Sequence, residues 1–396
     1  MKLLDICELI VDCPHSTARD EGQGFPLIRT PNIGKGRLIL EGVHRVSADV
    51  YDKRNERAVP QENDLILARE APVGNVAIIK HGQKVCLGQR TVLIRPNQKI
   101  VDAEFLTYYL LSPQKQHDLL SASNGATVSH LNMSSIRAMS IELPDLKNQR
   151  KIGRLLAGLD DKIELNRSLN ENLLQQANAI FKHWFTENPS LDTMEQVPLA
   201  DLCLVITKGT TPTTLGKQFV SEGINFIKAE SILDNHAIDK DKVAFIDSET
   251  NDLLKRSIMN SGDIVFTIAG TLGRFALIDD SVLPANTNQA VAIIRANQSK
   301  VTPEYLYSFF LGNWHNDYYK KRIQQAVQAN LSLGTIRSLP IPILSDQAMS
   351  EYIGIISPII AMTKANELEI SRLRAIRDTL LPQLMSGKLD VSSLDL

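Results

Sequence analysis

A long amphipathic stretch that occurs twice constrains the fold of this chain more than any other feature. Residues 149–185 contain no proline, and their apolar side chains recur at steps of three and four, as on one face of an α-helix. A helix of this length would extend about 55 Å and would need a partner for its apolar face. Residues 346–384 repeat the spacing, which predicts an antiparallel, coiled-coil-like pair. The apolar positions are Ile152, Leu155, Leu159, Ile163, Leu169, Leu173, Ile180 and Trp184, then Ile353, Ile356, Ile360, Ile370, Leu373, Ile376 and Leu380.

The two helices belong to an internal repeat that covers the chain. Residues 63–79 match residues 262–278 at an offset of 199, and after one inserted residue the offset is 200. Such self-similarity indicates one structural unit present twice, with pseudo-two-fold symmetry. Identical pairs include Asp64 and Asp263, Gly74 and Gly273, Gln89 and Gln289, Arg95 and Arg295, and Arg137 and Arg337.

Each copy begins with short β-branched runs separated by Gly, Pro and Asn, which predict strands and turns. The clearest strands are 76–80 and 91–96 in the first copy and 275–279 and 290–296 in the second. A helix follows each last strand, with Thr302 as a cap and Pro303 at the first helical position in the second copy. We therefore predict an α+β fold with two tandem domains of mixed β-sheet and helices, separated by the two long helices.

The predicted boundaries follow from these elements. The two domains span 1–145 and 198–344, and the spacer helices span 146–187 and 345–386. Residues 188–197 are polar and form a linker, and residues 387–396 are expected to be a disordered tail.

Composition narrows the possible functions and the compartment. The formal net charge of −2 argues against a protein that coats nucleic acid without specificity, but not against local basic surfaces. The four cysteines show neither CxxC spacing nor a Cys/His cluster, which predicts free thiols in a reducing compartment. Asp5 and Glu8 interrupt the apolar run at the N-terminus, and no window is apolar enough to span a membrane. We predict a cytoplasmic protein.

No catalytic motif is complete. Residues 209–218 resemble a phosphate-binding loop, but six residues rather than four separate the glycines, and Gln218 replaces the Mg²⁺-binding Ser/Thr. The histidines are scattered and form no metal-binding pair. The sequence predicts a non-catalytic chain that holds no metal and no cofactor.

Polar loops between the strands carry the remaining signal. They are rich in Arg, Asn, Gln, Ser and Thr, which can contact base edges and phosphates, although an ordinary polar loop is the alternative for any one of them. The framework repeats while the loop residues differ, which suits a protein that reads two different halves of a double-stranded DNA site. The candidate DNA contacts are His15, Ser16, Thr17, Arg29, Arg69, Asn75, Gln89, Arg90, His130 and Asn132 in the first copy, and Lys208, Thr210, Thr211, Lys228, Thr271, Arg274, Asn288, Gln289 and Asn330 in the second.

An aromatic cluster closes the first long helix. The contact between the two long helices does not require as many aromatic side chains as Phe181, Trp184 and Phe185 provide. They either pack under a domain of this chain or anchor another subunit, and we assign them as candidate partner contacts.

Local sequences identify a family resemblance over essentially the whole chain. LPDLKNQRKIGRLLAGLDDKIELN followed by NAIFKHWF, the ending LLPQLMSGKLDV, and the loop openings CPHSTA and KGTTPT are similar to the specificity subunits of type I restriction–modification systems. The resemblance implies that each domain reads one half of a bipartite DNA target while the helices act as a spacer and dock other subunits. It further implies two modification subunits, which use S-adenosylmethionine to methylate adenine, and two restriction subunits, which use ATP and Mg²⁺.

The helices of this chain also carry residues that disfavour straight helices. Gly153 and Gly158 lie in the first and Pro358 in the second. We expect a break or kink early in each helix.

A non-catalytic helical scaffold that joins two protein partners without reading DNA is the alternative from another functional class. A self-sufficient nuclease or methyltransferase would need a catalytic motif that we do not find. DNA binding should weaken steeply with added salt, which separates the first two possibilities.

Overall fold

A computed structural model describes residues 1–123, 130–187, 194–323 and 330–392. The chain divides into two compact units, unit 1 with Met1–Leu165 and Ile370–Leu396, and unit 2 with Asn166–Glu369. Each unit combines a β-rich domain with one segment of each long helix. The predicted α+β class is confirmed.

The domain of unit 1 surrounds a mixed sheet. In chain order its elements are β1 (Cys7–Asp12), β2 (Phe25–Ile28), β3 (Gly36–Arg37), β4 (Arg45–Val46), α1 (Ala48–Arg54), β5 (Leu65–Ala68), β6 (Val76–Ile78), β7 (Cys86–Leu87), β8 (Thr91–Pro96), α2 (Ala103–Leu111), α3 (Pro113–Ser121) and α4 (Met133–Ala138). One sheet has the order β1-β8-β5-β6-β3, and another has the order β4-β2-β7. Ile94 of β8 lies opposite Ile10 of β1 and Leu65 of β5. These aliphatic side chains are buried in one core with Phe105 and Leu106 of α2.

The domain of unit 2 repeats this arrangement. The long helix α5 (Leu146–Phe185) precedes it. The elements of the domain are β9 (Gln196–Pro198), β10 (Cys203–Lys208), β11 (Ile224–Ile227), β12 (Ala244–Ile246), α6 (Ser248–Leu253), β13 (Ile264–Thr267), β14 (Phe275–Leu277), β15 (Ala285–Thr287), β16 (Val291–Ala296), α7 (Pro303–Leu311), α8 (Trp314–Ile323), α9 (Leu333–Arg337) and β17 (Pro340–Pro342). The sheets have the orders β10-β16-β13-β14, β12-β11-β15 and β17-β9. Ile294 lies opposite Ile206 and Ile264, as Ile94 does opposite its partners. The predicted strands and the cap are confirmed, since the Thr302 hydroxyl accepts from the N–H of Tyr305 at 3.2 Å.

The repeated Asp and Arg residues make the same ion pair in both units. Asp64 accepts from Arg95 Nε at 2.8 Å and from Nη2 at 2.7 Å. Asp263 accepts from the same two nitrogens of Arg295, each at 2.7 Å. Both carboxylates are buried, so this bidentate pair fixes the start of β5 to β8 and of β13 to β16.

The two long helices are unbroken. α5 (Leu146–Phe185) and α10 (Asp346–Met385) have 40 residues each and continue through Gly153, Gly158 and Pro358. The predicted break is therefore wrong. At Gly153 packing overrides the low helix propensity of glycine, because α5 is buried there in unit 1.

The helix segments run antiparallel within each unit. In unit 1, Asp160 accepts from Arg377 Nη1 at 2.6 Å, while Lys151 donates to the carbonyl of Ser392 at 2.7 Å. In unit 2, Asn170 accepts from Asn366 and donates to the carbonyl of Thr363, at 2.8 and 3.2 Å. Further along α5, Trp184 lies 5.5 Å from Tyr352, earlier in α10.

Two predicted seam residues face outward instead. Leu169 is 39% exposed and Ile376 is 46% exposed. The neighbouring polar residues occupy the contact in their place, namely Asn170 in unit 2 and Arg377 in unit 1. An apolar repeat alone did not reveal these polar layers.

The start of the predicted tail is ordered against unit 1. Val391 is buried in the same core as Leu384 and Ile152. Lys151 Nζ donates to the carbonyls of Val391 at 3.2 Å and Ser392 at 2.7 Å. The predicted disorder is wrong for residues 388–392, and residues 393–396 lie outside the described part, as do 188–193 of the predicted linker.

The two glycines of α5 are expected to respond oppositely to alanine. At Gly153 a Cβ would lie 2.6 Å from Asp102 Oδ1 and 2.9 Å from the backbone nitrogen of Phe105, so Gly153→Ala should lower the free energy of unfolding by about 1–3 kcal/mol. At Gly158 a Cβ would meet open space, so Gly158→Ala should raise it by about 0.5–1 kcal/mol. Urea unfolding of both variants tests this. Equal effects would show that the close approach at Gly153 is absent in solution.

Candidate nucleic-acid interface

The same backbone contacts bring three loops together in each unit. The loops follow β5 and β13, precede β8 and β16, and precede α4 and α9. In unit 1, the N–H of Arg69 donates to the carbonyl of Arg90 at 2.9 Å, and the N–H of Leu131 donates to that of Arg69 at 3.1 Å. The matched bonds of unit 2 run from Ile268 to Ala290 at 2.8 Å and from Leu331 to Ile268 at 3.0 Å.

In unit 1 these loops carry a chain of charged side chains. Arg69 donates through Nη2 to His130 Nε2 at 2.7 Å and through Nε to the carbonyl of Leu131 at 2.8 Å. Arginine only donates, so His130 accepts at Nε2 and donates from Nδ1 to Glu70 at 2.5 Å. Glu70 also pairs with Arg90 Nε at 2.8 Å. Because the side chain of Arg69 is only 7% exposed, it positions His130 and has little surface for DNA.

A second group joins this chain at the end of β1. Asp12 pairs with Arg57 at 2.5 Å, lies 3.7 Å from Arg69, and accepts from His15 Nε2 at 2.9 Å. Gln89 Nε2 donates to the carbonyl of His15 at 3.1 Å. The structure thus brings together the predicted residues His15, Arg69, Gln89, Arg90 and His130.

The other predicted residues of unit 1 surround this group less closely. Asn75 donates to the carbonyl of Ile33 at 2.9 Å, so its amide supports a loop. Arg29 is half-buried, and its backbone N–H donates to Asn32 at 3.2 Å. The exposed members are Ser16, Thr17 and Asn132.

Unit 2 keeps the glutamine contact but changes its partner. Gln289 Oε1 accepts from the backbone N–H of Thr211 at 3.1 Å and from its hydroxyl at 2.5 Å. Gln289 therefore ties the loop before β16 to the loop after β10, as Gln89 ties the matched loops of unit 1. Lys208 is exposed at the end of β10, and its carbonyl accepts from Arg256 at 3.2 Å.

The remaining cation and hydroxyl candidates of unit 2 have partners within the protein. Arg274 donates twice to Asp234, each time at 2.7 Å, and once to the carbonyl of Ile232 at 3.2 Å. Thr271 donates to the carbonyl of Ala229 at 3.3 Å. Because Asp234 is exposed, Arg274 can exchange this carboxylate for another anion at the surface.

The four other candidates of unit 2 lie on or beside its loops. Lys228 pairs with Glu230 at 3.0 Å, and its Nζ lies 5.6 Å from the ring centre of Phe219. Asn288 Oδ1 accepts from the N–H of Ala290 at 3.0 Å. Thr210 is half-buried and Asn330 is exposed.

This repeated arrangement matches a known protein family. The profile described as "Type I restriction modification DNA specificity domain" matches residues 1–175 and 192–372. The chain belongs to this family. The two matched segments fall on the two copies of the repeat, so the chain contains the specificity domain twice.

Relatives of this family cover most of the chain. The specificity subunit of the type I restriction enzyme MjaIX of Methanocaldococcus jannaschii is 25% identical over 414 aligned positions, covering 99% of this chain and 94% of that protein. The HindI specificity subunit of Haemophilus influenzae is 26% identical and covers 75% of this chain and 80% of its own. The crystal structure of a type I S subunit from M. genitalium is 15% identical with a TM-score of 0.58, covering 97% and 95% of the two chains, and it shows the same fold.

Sequence reasoning missed the acidic members of the interface and one arginine pair. Asp12, Glu70 and Asp234 each hold a predicted cation, but a carboxylate gave no signal in a search for groups that grip phosphates. Arg57 and Arg256 both contact the end of the first strand of their sheet. Their offset of 199 could have revealed them.

The aromatic cluster of α5 is mostly internal. Phe181 and Phe185 are 2% and 0% exposed, in the core of unit 2. Their predicted role as partner contacts is wrong, because Phe309 packs against both rings at 5.1 and 4.8 Å. Trp184 is half-buried against Tyr352 at 5.5 Å and stays a prediction.

The described residues contain neither a group of metal ligands nor a helix suited to a membrane. Within 1–123, 130–187, 194–323 and 330–392, no three His, Cys, Asp or Glu residues are grouped so that they could hold a metal ion. None of the helices in these ranges has the length and apolarity required to cross a bilayer.

Proposed function

We propose that this chain is the DNA-reading subunit of a type I restriction–modification complex and that each unit reads one half of a bipartite target. The observation that carries the proposal is the matched loop frame, which is held by the same backbone bonds but bears different side chains in the two units. Two copies of one scaffold that bear different side chains suit two different half-sites.

The chemistry of the loops supports contact with base edges. Unit 1 presents Arg90, Glu70 and His130, and unit 2 presents Asn330 and Lys208 with Gln289. Arginine and amide side chains donate and accept in the pairs that distinguish base edges in the major groove. Because the net charge is −2, we expect such contacts from local groups of cations rather than from the whole surface.

The subunits that act on DNA are proposed to dock on the long helices. Both helices expose large apolar side chains, among them Leu165 on α5 and Ile355 and Met362 on α10. Ile355 and Met362 are seven positions apart and so lie on the same side of α10, and exposed apolar residues that share a helix side favour protein contact. The assembly has two modification and two restriction subunits. S-adenosylmethionine, ATP and Mg²⁺ belong to those subunits, and this chain is non-catalytic, holds no cofactor and works in the cytoplasm on cellular DNA.

Mapping adenine methylation in cells that express the chain with its cognate modification subunit tests the proposal. We expect one split motif, with two specified halves and a fixed gap. Replacing Asn330 with alanine should relax only the half read by unit 2, because Asn330 is exposed on that unit's loop. One continuous motif would mean that a single unit reads DNA. An assembled complex that methylates nothing would favour the scaffold.

A binding measurement distinguishes a DNA-reading subunit from the scaffold alternative. DNA affinity should fall steeply as salt rises, because cations on the loops release counterions from the phosphates. A complex whose assembly responds to salt while DNA does not bind would support the scaffold instead.

A further inference from the structure

We infer that the two half-sites differ at one matched position, where unit 1 reads a G·C pair through Arg90 and Glu70 and unit 2 reads an A·T pair beside Ala290 and Ala269. The inference rests on the proposed function and specifies which bases each unit selects.

The four positions correspond through backbone geometry and not only through sequence offset. A backbone hydrogen bond of 2.9 Å joins residues 69 and 90, and one of 2.8 Å joins residues 268 and 290. Residues 131 and 331 then bond to residues 69 and 268 at 3.1 and 3.0 Å. On this shared frame the side chains of unit 1 are Arg69, Glu70, Arg90 and His130, and those of unit 2 are Ile268, Ala269, Ala290 and Asn330.

The unit 1 pair has the two groups that a G·C pair requires. The side chain of Arg90 is 56% exposed, with Nε on Glu70, so its guanidinium reaches solvent. Arginine donates to O6 and N7 of guanine, and a carboxylate accepts from N4 of cytosine. An A·T pair offers an adenine N6 donor and a thymine O4 acceptor in other positions, together with a methyl group that neither charged side chain accommodates.

Glu70 is fixed before any base arrives. His130 donates to it at 2.5 Å, and Arg69 holds His130 from the other ring nitrogen at 2.7 Å. The side chain of Glu70 is only 16% exposed, and each of its oxygens already has a protein partner, Oε1 with His130 and Oε2 with Arg90. A carboxylate held in this way loses little conformational entropy on binding.

Unit 2 presents methyl groups at the same place. Ala269 and Ala290 are half-buried, and Ile268 beneath them is buried where unit 1 has Arg69. Alanine methyl groups pack on the thymine methyl, and asparagine pairs with N6 and N7 of adenine. Asn330 is exposed on this frame, in the position of His130. At these positions unit 2 lacks the charged side chains that select a G·C pair, and its methyl and amide groups favour an A·T pair.

The test is selection of bound sequences from random duplex DNA by the full complex of this chain and its modification subunit. The variants are Arg90→Ala, the double variant E70A/R90A, and Asn330→Ala, which marks the half read by unit 2. The matched control is E62A/H81A, which removes an exposed ion pair of 2.9 Å. Glu62 precedes β5 and His81 follows β6, at the end of these strands opposite to Glu70. Thermal unfolding of each variant shows whether it folds. If the double variant does not fold, Arg90→Ala alone still tests the inference, because it retains Glu70.

We expect a split motif whose unit 1 half contains a G·C pair. Arg90→Ala and E70A/R90A should reduce the preference for that pair by about tenfold to a hundredfold and leave the other half and the control unchanged. A split motif whose unit 1 half contains no G·C pair, or keeps it in Arg90→Ala, overturns the inference but leaves the proposed function intact. Absence of any enriched motif overturns the proposed function itself.

Discussion

Replacing Phe181 with alanine is expected to lower the free energy of unfolding of unit 2 by about 3–5 kcal/mol. The ring is 2% exposed and contacts Phe185 at 4.9 Å, Phe309 at 5.1 Å and Trp314 at 6.2 Å. Its removal leaves a cavity where α5 meets the domain of unit 2. Hydrogen exchange of unit 2 peptides measures the loss, and Lys182→Ala on the exposed side of the same helix should change stability by less than about 0.5 kcal/mol.

A second substitution identifies the cavity as the cause. A Cβ on Gly312 would overlap the Phe181 ring, so Gly312→Ala should destabilise the parent chain. In the Phe181→Ala background the same change should cost little, because the ring is gone, and the double-mutant cycle should be strongly non-additive. If Phe181→Ala left stability unchanged but abolished binding of a modification subunit, the ring would be a partner anchor after all.

The large elements of the fold could be predicted because each depends on local sequence. Helix spacing placed α5 and α10, and the repeat placed the strands in both units. The exposure of Leu169 and Ile376 could not be predicted, because it depends on polar residues that meet across the helix pair, such as Asp160 and Arg377. Residues 388–392 were also missed, since one buried valine and two carbonyls held by Lys151 leave no pattern in the sequence.

The site shows the same division. The loops and the matched Gln89 and Gln289 were predicted because polar composition and offset are visible in the sequence. Whether Arg69 faces DNA or the protein interior was not, because His130 lies 61 positions away in the chain. At the matched position Ile268 keeps the backbone contact without the charge. Side-chain orientation depends on partners that only the folded chain brings together.

Those partners also make the units respond differently to acid. At the offset of 199, Arg37 of unit 1 corresponds to His236 of unit 2, and at 200, Lys115 corresponds to His315. Arg37 pairs with Glu104 at 3.1 Å and with Asp161 at 3.0 Å, so unit 1 keeps a permanent charge there. Unit 2 instead has titratable rings among aromatic side chains.

Burial lowers the pKa of both rings to about 4 from the ordinary value of 6.5. His315 is 2% exposed, and its ring lies 5.2 Å from Phe310 and 5.5 Å from Phe266. His236 stacks on Phe275 at 4.0 Å, and Lys364 lowers its pKa further while Asp234 raises it. Between about pH 6.5 and about pH 4, both rings therefore stay mostly neutral in the folded protein but become protonated in the unfolded chain.

Unit 2 is therefore expected to lose stability as the pH falls from about 6.5 to about 4. In this window the unfolded state binds more protons, so the free energy of unfolding rises with pH and is lost on acidification. At ~1.4 kcal/mol per pKa unit, each histidine contributes on the order of 3 kcal/mol. Glu367 opposes the loss just above its ordinary pKa of 4.5, because burial raises the pKa of its carboxyl and folding then favours the protonated form.

Unfolding of unit 2 followed by hydrogen exchange at pH 7 and pH 5 measures this loss, and His315→Leu should make it smaller. The matched control is His81→Leu in unit 1, where the ring is exposed and pairs with Glu62, so the change should leave unit 2 as it is. If His315→Leu lost as much stability on acidification as the parent chain, His315 would not be a source of the acid sensitivity. The pKa of its ring would then be the same in the folded protein as in the unfolded chain.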